Sequence, residues 1–291
     1  MNEAPIIVRS VEELRSVIKS AKKHGSRIGF VPTMGALHAG HLALLARAKQ
    51  MSDFTVVSIF VNPTQFAPNE DFDVYPRHEA ADITCLTAAG CDVVYLPDVK
   101  EIYPAGSTTN VRVEGLSDVL DGVYRPHFFY GVTTVVARLF IHVQPDVAVF
   151  GEKDYQQLQI IRRMVRDLKF DIDIVGASTQ READGLALSS RNAYLSAQDR
   201  ISANRMSFAL HRAACRISTG AKVSDALAEG QTIIAQSGFS KIDYLTAIDP
   251  GTLEPLPDGP VAAGYRGRLL AAAYLGNTRL IDNIGFERSG S

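Results

Sequence analysis

The stretch Phe30-Val-Pro-Thr-Met-Gly-Ala-Leu-His-Ala-Gly-His-Leu42 decides the fold. It joins an apolar, strand-like run over 27–32 to a helix-like run that starts near His38 and reaches about Met51. Between them Pro32, Thr33, Met34 and Gly35 form a tight turn without a charge. His38 and His41 stand three residues apart on the first helical turn, so they share one face. The free backbone N–H groups and the positive end of the helix dipole point the same way, which suits a phosphate. Gly40 leaves room for a ligand to touch the backbone. A histidine pair at this spacing can also hold a metal, but no Cys, Asp or Glu lies within ten residues on either side to complete a coordination shell.

Following a strand and a Thr-Met-Gly turn, the His-x-Gly-His tetrapeptide resembles the signature of the HxGH nucleotidyltransferase-like superfamily. The histidines of that superfamily hold ATP phosphates during attack on the α-phosphate.

Outward from this stretch, strand and helix patterns alternate. Ser10-Val-Glu-Glu13 is a capping box that opens a helix closed by Gly25. Phe54 to Val61 is a β-branched run, the mark of a strand buried on both faces. A helix over 76–89, a strand over 92–96, a helix over 131–143, a strand over 146–150, a helix over 154–168 and a strand over 171–175 follow. Residues 97–127 are punctuated by Gly and Pro and carry no clear period. The alternation predicts an α/β fold with a doubly wound parallel sheet, which binds ligands at the carboxyl ends of its strands. From about residue 187 the pattern changes to helices over 197–218 and 223–237 and strands over 242–248 and 269–275. We therefore expect a Rossmann-like domain over 1–186 and a smaller α+β domain over 187–291, with the last six residues frayed.

The length of 291 residues supports a sizeable core, and 46% apolar with 21% charged residues is ordinary for a globular protein. A net charge of −2 gives no electrostatic case for nucleic acid or an anionic membrane as the main partner. Cys85, Cys91 and Cys215 are scattered without metal spacing and suit a reducing compartment. The N-terminus lacks a basic region followed by an apolar one, and no apolar run reaches the roughly 18 residues that span a bilayer. A cytoplasmic protein is the expectation.

Three further clusters carry chemistry. Gly151, Glu152, Lys153 and Asp154 stand at a strand-to-helix junction, with Gln156 and Gln157 just inside the helix. Lys153 can reach phosphates as a flexible point charge, while Asp154 and Gln157 also fit a helix N-cap and its N3 partner. Asp184-Gly-Leu-Ala-Leu-Ser-Ser-Arg-Asn192 places two hydroxyls and a guanidinium in one loop, a pattern that common turns share. Asn62 and Gln65 flank Pro63 at a strand end, where a Pro-directed turn with solvated amides is the plain alternative. Together these groups make a triphosphate site without a Gly-rich Walker loop. The neutral amides of Gln65 and Gln157 suit a carboxylate that must stay nucleophilic, because an arginine clamp would blunt it.

Pro32 to His41, Ser58 to Phe66, Phe150 to Asp154 with Gln157, Asp184 to Asn192, and Tyr274 to Asn283 together resemble the pantoate–β-alanine ligase family, in order over nearly the whole chain. The resemblance implies a homodimeric, Mg²⁺-dependent enzyme that turns pantoate and ATP into pantoyl adenylate and pyrophosphate. β-Alanine then displaces AMP to give pantothenate. It further implies that ATP is contacted by Met34, Gly35, Ala36, Leu37, His38, Ala39, Gly40 and His41. Gly151, Glu152, Lys153, Asp154, Gln180, Leu188, Ser189, Ser190 and Arg191 complete that contact set. His41, with His38 and Lys153, carries the catalysis, and Gln65, Gln157 and Asn62 hold pantoate; no protein metal ligand is implied. Arg125-Pro-His-Phe-Phe129 departs from the family's Arg-Pro-Gly-His-Phe, Gln180 replaces a small apolar residue, and Leu188 stands where methionine is common. An enzyme like a class I aminoacyl-tRNA synthetase shares the histidine motif, but this chain lacks both a tRNA-binding domain and basic charge. A non-catalytic nucleotide sensor would need the phosphate groups but not the paired glutamines.

Overall fold

In the computed structural model, which describes residues 3–67, 72, 73 and 75–290, the expected capping box forms. Ser10 accepts from the Glu13 N–H, and the Glu13 carboxylate accepts from the N–H of Ser10. The helix this opens is closed by Gly25 at φ 79°. Such a cap is worth about 1 kcal/mol.

The chain divides into two units. The first comprises Met1–Asp118, Arg125–Glu152 and Gln157–Ser178. Its elements are β1 (Ile6–Val8), α1 (Val11–Lys23), β2 (Ile28–Thr33), α2 (Ala39–Lys49), β3 (Phe54–Ile59), α3 (Glu79–Ala89), β4 (Val93–Tyr95) and α4 (Val99–Ile102). After α5 (Asp121–Tyr124), which groups with the second unit, come α6 (Phe128–Val143), β5 (Val147–Gly151), α7 (Tyr155–Leu168) and β6 (Asp173–Ala177). The six strands form a parallel sheet in the order β1-β4-β3-β2-β5-β6. This is the doubly wound sheet the alternation predicted. Both faces are covered. Val31, Val57, Val94 and Val149 pack with Leu45 and Leu86 of the helices on one face. On the other, Phe140 of α6 meets the Phe30, Phe150 and Phe170 rings edge to face at 5.9–6.3 Å. Full burial of each such side chain contributes about 1.5–3 kcal/mol.

The chain builds outward from β2 through β3 and β4, then returns to β5 on the other side of β2. The topological switch point is therefore β2/β5, whose register pairs Gly29 with Val147 and Phe30 with Ala148. Ligands bind in the crevice at such a point, outside the carboxyl ends of the strands.

The second unit takes Val119–Tyr124, Lys153–Gln156 and Thr179–Ser291. It contains α8 (Ala197–Ala203), α9 (Arg205–Ser218), α10 (Val223–Gln236) and an antiparallel sheet of β7 (Phe239–Ile248), β8 (Arg266–Leu275) and β9 (Thr278–Glu287). Leu210, Ile217, Ile234, Leu245 and Ala271 are among its core residues. The division falls at 178/179 rather than 186/187, because Arg181 bridges to Ala187 in a hairpin of this unit.

Other expectations need correction. The single helix over 197–218 is two, broken at Asn204. The frayed C-terminus is instead the end of β9, where Phe286 is buried and the Ser289 N–H donates to the Ser218 carbonyl; Ser291 lies outside the described residues. Residues 97–127 hold only the short helices α4 and α5 among their described elements.

Candidate active site

The loop after β2 is tied down from beneath. The Thr33 hydroxyl donates to the Ser58 carbonyl at 2.8 Å and accepts from the Gly35 N–H at 3.2 Å. Gly35 and Ala36 then both adopt positive φ, 83° and 51°, a conformation that costs a non-glycine residue about 1 kcal/mol or more. Asp82 on α3 offsets that strain. Its carboxylate is 3% exposed and accepts the Ala36 N–H at 3.0 Å and the Leu37 N–H at 2.8 Å. Sequence reasoning missed Asp82, since an acid in the first turn of a helix has a sufficient local explanation in the helix dipole.

His38 is the N-cap of α2 and accepts the Gly40 N–H on Nδ1 at 3.1 Å. The His41 Nδ1 accepts the His38 N–H at 3.3 Å, and the two rings lie 4.2 Å apart at 41°. One correction follows. The helix amides are not waiting for a phosphate: the N–H groups of His41 and Leu42 also go to the His38 carbonyl. Among the described residues, the Ala39 N–H is the first-turn donor left without a protein acceptor. In addition, a neutral ring that accepts on Nδ1 carries its proton on Nε2.

At the end of β3, Pro63–Gln65 form a 3₁₀ turn. Asn62 is 1% exposed, and its amide is fully spent on protein partners. Gln65 reaches back to the first loop, its Nε2 donating to Met34 Sδ at 2.9 Å. Gln65, Met34 and the histidine turn are therefore brought together within the first unit. Arg125 donates to the Gln65 carbonyl at 3.3 Å, and its guanidinium lies 3.8 Å above the Phe128 ring. The unusual Phe128 thus has a packing role.

At the end of β5, Gly151 pairs with Ala177 of β6. Glu152–Asp154 form a 3₁₀ turn that runs directly into α7. Asp154 is consequently not an N-cap. Its carboxylate lies 3.8 Å from Lys153 Nζ, and among the described residues the Gln157 side chain makes no hydrogen bond. In the second unit Asn283 donates to the Lys153 carbonyl at 2.7 Å, holding the backbone beneath that lysine.

The remaining expected residues lie on one hairpin of the second unit. The Leu188 N–H donates to the Gln180 carbonyl at 2.9 Å, which brings those two together. Ser189 caps the Ser190–Tyr194 turn by accepting the Arg191 N–H at 3.3 Å. Arg181 anchors the hairpin through a bidentate pair with Asp282 at 2.7 and 2.9 Å. Neither partner was anticipated, because they are 101 residues apart.

A parallel sheet that delivers a His-x-Gly-His turn to its topological switch point defines a nucleotide-binding enzyme of the nucleotidyltransferase type. A profile of the pantoate–β-alanine ligase family matches residues 6–285, and the chain belongs to that family. The pantothenate synthetase of Hyphomonas neptunium is 60% identical over 288 residues, 98% of each chain. That of Rhodospirillum rubrum is 55% identical over 96% of this chain and 98% of its own. Among solved structures, the pantothenate synthetase of Thermus thermophilus superposes with a TM-score of 0.90 at 47% identity, covering 96% of this chain and 98% of that one. The Francisella tularensis pantoate–β-alanine ligase, solved with β,γ-ATP and β-alanine, gives 0.80 at 35% identity over 97% of both chains.

Proposed function

We propose that this chain condenses (R)-pantoate with β-alanine at the expense of ATP, releasing AMP and pyrophosphate through pantoyl adenylate. The observation that carries the reading is the contact of Gln65 with Met34. It sets a neutral carboxylate-orienting amide against the loop that bears the phosphate-directed histidines.

In the first half-reaction a pantoate carboxylate oxygen attacks the α-phosphorus, and the bond from that phosphorus to pyrophosphate breaks. A free carboxylate is a poor acyl donor because oxide is a poor leaving group; adenylation supplies AMP in its place. Negative charge grows on the phosphoryl oxygens and on the departing pyrophosphate. His38 and His41 meet it with Nε2–H donors, and Lys153 and Arg191 meet it with charge. Met34 to His41, with Gly151, Glu152, Asp154, Gln180, Leu188, Ser189 and Ser190, complete the ATP contacts, and Gln65 and Gln157 hold pantoate. In the second half-reaction the β-alanine amine attacks the acyl carbon, the C–O bond to AMP breaks, and the amine sheds a proton.

Among the described residues no group of three His, Cys, Asp or Glu is placed to hold a metal. Mg²⁺ would enter with ATP rather than be held by a dedicated protein cage, and would supply charge neutralisation. The working form is a cytoplasmic homodimer; among the described residues no helix is long and apolar enough to cross a membrane.

The test is pantoate-dependent exchange of labelled pyrophosphate into ATP without β-alanine. Exchange is the expected result, together with about one equivalent of pyrophosphate released per site. Exchange that requires an amino acid and tRNA, or nucleotide binding with no exchange, would overturn the proposal.

A further inference from the structure

Asn62 has two N–H donors and two acceptor lone pairs. Its Nδ2 donates to the Gly131 carbonyl and to Gln65 Oε1, both at 3.1 Å. Its Oδ1 accepts from the Tyr103 hydroxyl at 2.8 Å, the Thr64 hydroxyl at 2.9 Å and the Thr64 N–H at 3.3 Å. Two of these partners have fixed polarity, for the Gly131 carbonyl only accepts and the Thr64 N–H only donates. They dictate which end of the Asn62 amide is nitrogen. The consequence passes on to Gln65. Facing an N–H donor, Gln65 must present Oε1 to Asn62, and its Nε2 must point the other way, toward Met34. Asn62 has no capacity left for a substrate. Of the two Nε2 protons of Gln65, one goes to Met34 Sδ and the other has no acceptor among the described residues.

We propose that Asn62 and Tyr103 are positioning residues that lock the Gln65 amide with its Nε2 donor presented to the pantoate carboxylate. Asn62 thus acts on substrate through Gln65 rather than by contact. Tyr103 is the outermost member of the chain. Its ring is held by the Arg138 guanidinium at 4.8 Å, and its hydroxyl also lies 3.0 Å from the Thr64 hydroxyl. An amide that flips freely would present oxygen to a carboxylate half of the time. The lock removes that repulsive state before substrate arrives, which is how preorganisation raises affinity. The inference rests on Gln65 being a pantoate ligand.

The experiment measures KM for pantoate and for ATP, with pyrophosphate exchange as the assay, in Tyr103→Phe, Asn62→Ala, Gln65→Ala and the two doubles containing Gln65→Ala. Tyr103→Phe removes one hydrogen bond and keeps the ring, so it tests the proposal even if Asn62→Ala fails to fold. The expected result is a rise in pantoate KM of about 2- to 10-fold for Tyr103→Phe, the worth of one hydrogen bond, and more for Asn62→Ala. KM for ATP stays unchanged in both. In the Gln65→Ala background neither substitution should add a further effect on pantoate, since the group they orient is gone. An equal effect in that background would make Asn62 or Tyr103 act on substrate independently and overturn the inference. So would a normal pantoate KM in Tyr103→Phe. If Gln65→Ala itself leaves pantoate KM unchanged, the assignment of Gln65 fails instead, a distinct outcome that also removes the basis of the inference.

Discussion

Two adjacent glutamines in the first turn of α7 have opposite fates. Gln156 is buried, and its amide accepts from the Asp121 N–H at 3.1 Å and donates to the Val119 carbonyl at 2.7 Å. Gln157 is half-buried with no side-chain hydrogen bond among the described residues, and the 3₁₀ turn before it leaves no capping role. A glutamate at 157 therefore costs little stability, within about 0.5 kcal/mol. As a pantoate ligand, however, Gln157 must donate through its N–H₂ group, which ionised glutamate lacks, and the new charge would repel the substrate carboxylate. Gln157→Glu should melt close to the parent and bind ATP normally, yet raise pantoate KM at least about tenfold, the cost of an unmade hydrogen bond to a charged group. Titration calorimetry with pantoate and with ATP separates the two effects; normal pantoate affinity would remove Gln157 from the site.

Helix α6 sets the position of the 62–65 turn by close approach. A Cβ on Gly131 would lie 2.5 Å from the Thr64 carbonyl oxygen and 2.6 Å from the Gln65 nitrogen, both backbone atoms. Alanine would ordinarily gain up to about 1 kcal/mol in a helix, but overpacking against backbone costs about 1–3 kcal/mol, so the clash wins. Gly131→Ala should lower the melting temperature and raise pantoate KM by displacing Gln65; a variant more stable than the parent would show that the contact is slack. This glycine could not be interpreted from its sequence neighbours, because its reason lies far back along the chain, in Thr64 and Gln65. The same limit separates the elements that were legible from those that were not. Phe54–Ile59 announced itself by a run rich in β-branched residues, and the Ser10 cap by local chemistry. Strand β9 did not, because Arg279, Asp282 and Asn283 interrupt its apolar alternation. Their burial is met by Asp121, Arg181 and the Lys153 carbonyl from distant parts of the chain, together with Asp243 and Arg268 of the same sheet. The histidine turn, Gln65 and Gln157 were visible as local motifs, whereas Asp82, Tyr103 and Arg181 act through partners remote in sequence.

Across the whole molecule the second unit is interleaved with the first along the chain, drawing on 119–124 and 153–156 as well as 179–291. Arg279 joins two of these pieces, 119–124 and 179–291. Its guanidinium, 14% exposed, pairs with Asp121 at 2.6 Å and Asp243 at 2.8 Å, and Tyr244 donates to Asp121 at 2.9 Å. Burial alone would raise the Asp243 carboxyl, but Lys241 and Arg279 outweigh it and hold it below the ordinary value of 3.8. A carboxyl depressed in the folded state gives stability that is present above the unfolded value and lost as pH falls through the folded one. Burial, reinforced by the Asp121 charge, pushes the Tyr244 hydroxyl well above its usual 10.0. Its contribution is present below that value and declines as pH rises beyond it. Arg279→Met keeps the bulk but leaves buried Asp121 with the Tyr244 hydroxyl in place of a cation and Asp243 with Lys241 alone, which should cost about 3 kcal/mol near neutral pH. Arg279 helps hold the Asp243 carboxyl down, so the stability it contributes is lost as that group protonates, and the gap between parent and variant should narrow as pH falls from about 7 to about 4. Urea midpoints of both proteins at the two pH values provide the measurement. A gap that is large but unchanged would mean Arg279 acts by packing its stem, and the assignment of paired charge as the tie between these segments would fall.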